Sequence, residues 1–133
     1  MRSYDLAFIG LGAASMSLAT RLAATGYSGK AIFIDPAATP DDDRTWCGWG
    51  LGQHPFSEQI TQQWTNWAVG TADHLVQQGD TAIPYQMLRA RDVRRVALKA
   101  IESRNDWEIA TPKSLQEGCF ENGNWVLTLT DGE

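Results

Sequence analysis

A parallel α/β fold is predicted by three observations in the first 35 residues. A short apolar run, Leu6–Ile9, has the length and composition of a buried strand. It ends at a Gly-Leu-Gly turn and continues directly into Ala13–Ala24, a segment rich in Ala, Leu and Met that predicts a helix. A second apolar run, Ala31–Ile34, predicts another buried strand and ends at Asp35. Strand, tight turn, helix and strand in this order form a βαβ unit.

The glycine turn has the pattern of a dinucleotide-binding loop. Gly10 permits a sharp turn off the strand, and Gly12 lets the backbone approach a pyrophosphate that a Cβ would keep away. The third position of the motif, where helix and strand pack closely, is Ser15. The pyrophosphate is expected at the N–H groups and positive dipole end of the helix. The predicted phosphate-binding residues are therefore Gly10, Leu11, Gly12, Ala13, Ala14 and Ser15.

Asp35 is predicted to bind the ribose of the nucleotide. It follows Ser15 by 35 − 15 = 20 positions, the spacing at which an acidic residue meets the ribose hydroxyls. Because FAD and NAD both carry an adenosine ribose, Asp35 does not distinguish them. The alternative is an ordinary strand–turn–helix in which Asp35 only ends a strand. Along the helix, we expect Ala14, Leu18 and Leu22 to stack at four-residue spacing, and Gly26 to form a left-handed cap.

Composition and charge exclude several classes of function. With 43% hydrophobic and 20% charged residues, the 133-residue chain resembles an ordinary soluble globular protein. Its net charge of −5 argues against non-specific nucleic-acid binding. Cys47 and Cys119 are too few and too distant for a disulfide framework, which favours a reducing cytoplasm. His54 and His74 have no partner at ligand spacing, so no metal site is predicted. The N-terminal apolar run begins beside Asp5 and is broken by Gly10, so it is expected to be neither a signal segment nor a membrane span.

The middle of the chain is harder to interpret. Residues Pro36–Asp43 predict a turn-forming loop with an acidic cluster. The following block, Arg44–Gly50, has two tryptophans, which either fold onto the core or form a cofactor-facing loop. In the second case Arg44 donates to a phosphate or ring carbonyl and the indoles exclude water. Residues Ser57–Val69 have apolar side chains at helix-compatible spacing and predict an amphipathic packing element, with an aromatic binding box as the alternative.

A second helix and a third strand are predicted further along. Ile83–Arg89 has the character of an extended segment, and Asp92 is expected to cap the helix that follows it. Arg89, at the end of the extended segment, is a candidate for binding a phosphate or the edge of a flavin. Trp107–Ala110 predicts the next strand. The apolar face of the helix is expected to consist of Val93, Val96, Ala97, Ala100 and Ile101.

The last part of the chain predicts a β-hairpin. Two strand-like segments, Ser114–Phe120 and Trp125–Thr130, flank an Asn-Gly pair, which is a strong hairpin signal. The chain ends at Asp131-Gly132-Glu133 in a predicted turn, and we expect it to be a fragment. The predicted fold is thus α/β: a Rossmann-like FAD/NAD(P)-binding βαβ fold with a β-hairpin insertion, truncated. Residues 1–133 form the N-terminal part of that domain, with the βαβ unit at 4–35 and the hairpin at 113–130.

Three passages together resemble the lycopene cyclase family of flavoproteins. The first is Asp5–Ser15 with Asp35, which many FAD and NAD enzymes share. The second, Asp43–Trp49, contains the Arg-Thr-Trp sequence and further aromatic residue typical of the family. The third, Pro84–Arg89 with Asp92, resembles the strand that leads into the family's next helix. Two positions depart from the family pattern, namely Ser15 at the third glycine and Gly48 in place of a bulky aromatic residue.

The resemblance implies an activity and a cofactor. A lycopene cyclase closes the linear end groups of lycopene into β-ionone rings without net redox change, an isomerase reaction. Reduced FAD, supplied with electrons by NAD(P)H, is thought to stabilise the cationic transition state. Gly10, Gly12 and Asp35 would hold the ADP half of FAD, with Arg44 and Arg89 nearer the pyrophosphate or isoalloxazine. The family's acidic catalytic motif is expected beyond Glu133, so the 133 residues alone are expected to be inactive.

The resemblance also implies an apolar carotenoid substrate and a cytoplasmic protein in peripheral contact with the membrane. Three other interpretations stay open. One is a different flavoprotein, such as a monooxygenase, halogenase or prenyl reductase. Another is a truncated, non-catalytic chain that binds nucleotide weakly or not at all. The third is a plain NAD-binding dehydrogenase domain, which the hairpin disfavours because it replaces further strand–helix alternation.

Overall fold

The computed structural model describes residues 1–37, 44–79 and 82–130. These residues fall into two compact units, the first comprising 1–37 and 96–130 and the second 44–79 and 82–95. The helices are α1 Ala13–Ala24 and α2 Ala90–Glu102, and Ser57–Gln59 forms a 3₁₀ turn. The strands are β1 Leu6–Ile9, β2 Ala31–Ile34, β3 Thr45–Trp49, β4 Ile60–Trp64, β5 Trp67–Gly70, β6 Leu75–Gln78, β7 Tyr85–Arg89, β8 Trp107–Ala110, β9 Leu115–Glu121 and β10 Asn124–Leu129.

The first unit is built on a parallel sheet in the order β1-β2-β8. Leu6 is opposite Ala31 in the first pair, and Ala31 is opposite Trp107 in the second. The predicted βαβ unit and third strand are therefore confirmed, with β1, α1, β2 and β8 at the bounds expected from the sequence. All four residues of β2 are buried, as expected for the central strand of a covered sheet.

Aromatic rings pack across this sheet on one side. The ring of Phe8 stacks on that of Phe33 with centroids 4.4 Å apart, and Trp107 lies 5.6 Å from Phe33 on the next strand. The indole N–H of Trp107 donates to the carbonyl of Gly29 at 3.0 Å, so its polar atom is satisfied. On β2, Ile32 and Ile34 belong to a separate cluster that includes Ala110 and Leu129 and is covered by Tyr4, Leu115 and Leu127.

The predicted hairpin is confirmed as β9 and β10. Asn122 and Gly123 have φ values of +50° and +82°, the left-handed backbone that a type I′ turn requires at both central positions. Trp125 is opposite Phe120 across the strands, and their rings meet edge-to-face at 5.6 Å. The predicted turn at 131–133 lies outside the described residues.

Helix α1 buries a face other than the stripe of Ala14, Leu18 and Leu22. Its buried residues are Met16, Ala19 and Thr20, whereas Leu18 is 50% exposed. The expected stripe of Ala14, Leu18 and Leu22 is thus not the buried face. The longer Met16 side chain is fully buried, and the Thr20 hydroxyl is compatible with burial because it donates to the Met16 carbonyl at 2.8 Å. The predicted cap at Gly26 is confirmed by its φ of +73°.

The second unit consists of strands where the sequence suggested a loop and a helix. Strands β3, β7 and β4 form an antiparallel sheet in that order, and β5 pairs with β6. The tryptophan-containing block is therefore strand β3 rather than a loop. Residues 57–69, where the apolar spacing was compatible with a helix, contain a 3₁₀ turn, strand β4 and most of strand β5. Most of the predicted loop at 36–43 lies outside the described residues.

The extended segment before α2 is confirmed as β7, but α2 begins at Ala90 instead of after Asp92. The carbonyl of Arg44 accepts the N–H of Ala90 at 3.0 Å, so a backbone group satisfies the first N–H of this helix. Asp92 lies in the first turn, where its carboxylate accepts from Arg95 at 3.3 Å. The predicted apolar face is confirmed, with Val93, Ala97 and Ile101 fully buried.

A charged cluster fixes the start of the chain to β8. The carboxylate of Glu108 accepts hydrogen bonds from the Tyr4 hydroxyl and the Arg2 guanidinium. The Tyr4 hydrogen bond, with Arg2 adding to it, holds the pKa of Glu108 below its ordinary value. Burial, together with the hydrogen bond to Glu108, raises the pKa of Tyr4. Both shifts favour the charge state in which a neutral phenol donates to a carboxylate.

Candidate nucleotide-binding site

The loop between β1 and α1 is shaped by a glycine in a left-handed conformation. Gly10 has a φ of +91°, which an L side chain rarely adopts. Its N–H donates to the carbonyl of Ile34 at 2.7 Å, so the turn stays joined to β2. The next residue, Leu11, is 4% exposed and anchors the loop in the core. The chain therefore leaves β1 sharply, and α1 begins three residues after Gly10.

The beginning of α1 is open and uncapped. Gly12 is the N-cap residue and no side chain caps the helix. A Cβ placed on Gly12 would have no atom within 4 Å. The first turn contains no acidic residue, and Ala13 and Ala14 are exposed. The first N–H groups of a helix have no intrahelical partner, so this end is suited to an anion.

Asp35 lies against this loop. One carboxylate oxygen accepts the N–H of Leu11 at 2.6 Å, and the other accepts the N–H of Ala37 at 2.8 Å. These bonds orient a partly buried carboxylate beside the residue that precedes the helix cap. Each carboxylate oxygen has two lone pairs, so acceptor capacity remains for a hydroxyl. The arrangement of Gly10, Gly12 and Asp35 fits a dinucleotide whose pyrophosphate lies on α1 and whose ribose meets Asp35.

Ser15 occupies the third glycine position without preventing this arrangement. The residue is half-buried, and α1 still begins at Ala13 immediately after the turn. The following residue, Met16, is fully buried, and its N–H donates to the carbonyl of Gly12 at 3.0 Å. The first turn of the helix is therefore regular despite the side chain at this position.

The two candidate arginines lie together in the second unit. Thr45, which follows Arg44, is opposite Arg89 in the β3–β7 pair, and Arg44 joins the residue after Arg89 through its carbonyl. Both arginines are exposed. The structure thus groups the predicted residues in two sets: the loop with Asp35 in the first unit, and Arg44 with Arg89 in the second. Their roles toward a cofactor stay predictions.

Sequence reasoning missed an apolar cup in the second unit. The cup has a volume of about 530 Å³ and is lined by Trp49, Leu51, Trp67, Ala82 and Ile83. The rings of Trp49 and Trp67 meet edge-to-face at 5.5 Å. The indole nitrogen of Trp67 is buried and has no hydrogen-bond partner within the described part of the chain. The low number of charged residues around these tryptophans in the sequence could have indicated an apolar surface here.

The two histidines differ in their surroundings. In His54, Nδ1 accepts the N–H of Phe56 at 3.2 Å and Nε2 lies 3.4 Å from the Gln86 side-chain oxygen. Gln86 is 9% exposed and also donates to Gln63 at 3.0 Å. His74 is exposed near the β5–β6 turn. Residues 1–37, 44–79 and 82–130 contain no group of three side chains that could hold a metal ion.

Neither helix within the described ranges has the length and apolar character needed to cross a membrane.

The fold and the loop geometry define the chain as an α/β protein with a Rossmann-like FAD/NAD(P)-binding fold, and solved structures share this fold. One is pqsL, a probable FAD-dependent monooxygenase from Pseudomonas aeruginosa, with a TM-score of 0.67 and 12% identity over 98% of this chain and 39% of that one. Another is the p-nitrophenol 4-monooxygenase PnpA from Pseudomonas putida DLL-E4, with a TM-score of 0.68 and 11% identity over 96% of this chain and 37% of that one. The halogenase PltM gives a TM-score of 0.62 and 15% identity over 99% of this chain and 32% of that one.

The chain belongs to the lycopene cyclase family, because the family model described as lycopene cyclase protein matches residues 5–133. No curated protein sequence matches the chain significantly. The chain spans about a third to two fifths of the length of the three solved structures above.

Proposed function

We propose that this chain is the FAD-binding part of a lycopene β-cyclase. Two findings support the proposal: membership of the lycopene cyclase family, and a nucleotide-binding loop to which an acidic side chain is hydrogen-bonded. The second finding carries the cofactor assignment. The Asp35 carboxylate accepts the N–H of Leu11, the residue before the uncapped N-terminus of α1, so an acidic side chain adjoins an anion-binding helix end, as a ribose and its pyrophosphate require.

In this proposal each loop residue has a defined part in holding FAD. The N–H groups at the start of α1, from Gly12 to Ser15, bind the pyrophosphate, and Gly12 leaves room for it. Asp35 accepts a hydrogen bond from the adenosine ribose. Arg44 and Arg89 bind nearer the pyrophosphate or isoalloxazine, where guanidinium groups match phosphate and carbonyl oxygens.

The proposed reaction is the closure of a linear lycopene end group into a β-ionone ring. A carboxylic acid protonates the end-group double bond, the resulting carbocation closes the ring, and a proton is lost. Reduced FAD, with NAD(P)H as electron source, supplies negative charge beside the cationic transition state. We assign no catalytic acid within these 133 residues.

The proposed partners follow from the chemistry of the substrate. A carotene has no polar group, so the protein must exclude water from it and collect it from lipid. We therefore propose a cytoplasmic protein in peripheral contact with the membrane. A net charge of −5 disfavours nucleic acid as a partner.

A second candidate function is hydroxylation or halogenation by a flavoprotein of the same fold. It is favoured by the likeness to pqsL and PltM over almost the entire chain. The two candidates differ in their products, because cyclisation leaves the mass of the substrate unchanged whereas hydroxylation adds one oxygen atom.

The test is to purify the intact protein, record its flavin spectrum and incubate it with lycopene and NAD(P)H, once under anaerobic conditions and once in air. The proposal predicts bound FAD and cyclic products of unchanged mass. A flavoprotein that requires oxygen and yields an oxygenated product would support the second candidate. A colourless protein that takes up no flavin on incubation would contradict both and favour a non-catalytic chain.

A further inference from the structure

The side-chain hydroxyl of Ser15 has no hydrogen-bond partner in the part of the chain that the structure describes. The hydroxyl of Thr20, in the same helix, donates instead to the carbonyl of Met16 at 2.8 Å. Ser15 is half-buried, yet its oxygen is not sealed from solvent, since within the described ranges the only sealed side-chain N or O atom without a partner is Nε1 of Trp67. Ser15 therefore carries an accessible donor that no described residue uses.

The position of Ser15 places this donor at the open end of α1. Gly12 is the N-cap, and Ser15 is the third residue of the helix, after Ala13 and Ala14. Helical side chains tilt toward the N-terminus, and in a capping box it is the third residue whose side chain reaches back to the helix end. Ser15 also has the only polar side chain in this first turn. Its hydroxyl is thus directed toward the unpaired N–H groups that suit an anion.

Packing does not account for the hydroxyl. Glycine at the third position of the motif serves the close packing of helix and strand. In α1 the fully buried side chains are those of Met16 and Ala19. Ala19 lies four residues further on and on the same side of the helix as Ser15, so Ser15 is at the edge of the buried face nearest the open end. An alanine at this position would leave that buried face unchanged.

We propose that the Ser15 hydroxyl donates a hydrogen bond to a phosphate oxygen of the dinucleotide. A hydrogen bond from a hydroxyl to an anionic oxygen is charge-assisted and stronger than one between neutral groups. The inference rests on the proposed function in one respect, namely that a pyrophosphate lies at the start of α1. It adds a side-chain contact at the position where the loop departs from the three-glycine motif, so the departure strengthens cofactor binding instead of weakening it.

The experiment is to titrate the intact protein with ADP and with adenosine, which lacks the phosphates but keeps the ribose proposed for Asp35. The test variants are Ser15→Ala and Ser15→Gly. The matched control is Ser17→Ala, which removes an exposed hydroxyl from the same helix. We expect both Ser15 variants to bind ADP about tenfold more weakly, as the loss of a hydrogen bond to a charged group implies, and the control to bind it within about twofold of wild type. Adenosine affinity should be the same in the wild type and in every variant.

Three results would overturn the inference: ADP affinity in Ser15→Ala equal to that of wild type, tighter ADP binding in Ser15→Gly, or equal losses of adenosine and ADP affinity. Tighter binding in Ser15→Gly would mean that serine only takes up space where the motif prefers glycine. Equal losses would mean that the helix itself is disturbed. Alanine is a better helix former than serine, and circular dichroism with urea denaturation verifies that each variant is folded.

Uptake of FAD by the wild type tests the proposed function separately. A wild type that binds FAD, together with unchanged ADP affinity in Ser15→Ala, would overturn only the inference about Ser15. A wild type that binds neither FAD nor ADP would overturn both.

Discussion

The backbone N–H of Leu11 donates a hydrogen bond to the carboxylate of Asp35 over 2.6 Å. This bond joins the loop before α1 to the end of β2, two sites 24 residues apart in sequence. A second carboxylate shows the same relationship at the other end of the strand pair, where Asp5 accepts the N–H of Lys30 at 2.7 Å. Only the Asp35 bond lies beside an open helix N-terminus, and this difference allows a matched test of its role.

We predict that Asp35→Asn weakens binding of ADP and FAD by roughly tenfold or more, because hydrogen bonds to charged groups contribute about 1.5–3 kcal/mol. Asp5→Asn removes the same kind of backbone contact at the far end of the sheet and should leave affinity unchanged. Isothermal titration of both variants measures the effect. Equal affinities in the two variants would mean that Asp35 only ends a strand.

The buried face of α1 is tested by two truncations on the same helix. Met16→Ala should lower the free energy of unfolding by about 2–5 kcal/mol, because its side chain is fully buried and a cavity would remain. Leu18→Ala should cost about 1 kcal/mol or less, since Leu18 is half exposed. Urea denaturation of each variant gives the values. A larger loss of unfolding free energy for Leu18→Ala than for Met16→Ala would mean that the stripe containing Leu18 is the buried face.

Alanine substitutions at Gly50 and Gly48, which both lie near the tryptophans, should have different effects on stability. A Cβ on Gly50 would come within 2.6 Å of the Gln86 side chain, which is buried and bonded to Gln63. Gly50→Ala should therefore displace this amide and lower the free energy of unfolding by about 1–3 kcal/mol. Gly48 has no atom within 4 Å of the corresponding position. If the thermal melts of Gly50→Ala and Gly48→Ala coincide, the Gln86 side chain moves aside without loss of stability.

The charged cluster at Glu108 makes stability depend on acid pH. The hydrogen bond from Tyr4 lowers the pKa of Glu108 in the folded state below its ordinary value of 4.5. The unfolded state therefore binds more protons as the pH falls from above 4.5 toward the folded pKa, and the contribution of Glu108 to stability is lost over that interval. We expect Glu108→Gln to show a shallower loss of stability over this range than wild type.

This pH effect is measured by chemical denaturation at several pH values between neutral and acid. The exposed Glu102 provides a control, because Glu102→Gln removes an equal charge without touching the cluster. Parallel curves of stability against pH for wild type and Glu108→Gln would show that the titration of Glu108 does not contribute to the pH dependence.

The first unit was predictable because its signals are local and redundant. Leu6–Ile9 and Ala31–Ile34 are continuous apolar runs next to glycine or aspartate, and the Asn122-Gly123 pair specifies its own turn. The sequence pattern did not reveal which face of α1 is buried. The hydroxyl of Thr20 bonds to the carbonyl of Met16 in the same helix, so Thr20 can be buried as readily as a leucine.

The second unit was not predictable for a different reason. Ile60 and Trp64 are four residues apart, an interval that places side chains on one side of a helix. In β4 a register shift between Ile60 and Gln62, which no local pattern marks, places them opposite Leu88 and Tyr85 instead. The strands here are four or five residues long and rich in Gln, Thr and Trp, so no clear alternation of apolar and polar residues marks them. These segments are strands because β3 and β4 pair with β7, which is distant from them in the sequence. Local patterns do not show such a pairing.

The central claim is that an adenine nucleotide binds where β1 turns into α1, and the affinity of Gly12→Val for FAD tests it most directly. Gly48→Val is the control, since Gly48 also has space for a side chain and does not have a positive φ. The account predicts that Gly12→Val loses measurable FAD binding, whereas Gly48→Val retains it and both variants stay folded. FAD affinity in folded Gly12→Val equal to that of wild type would contradict it.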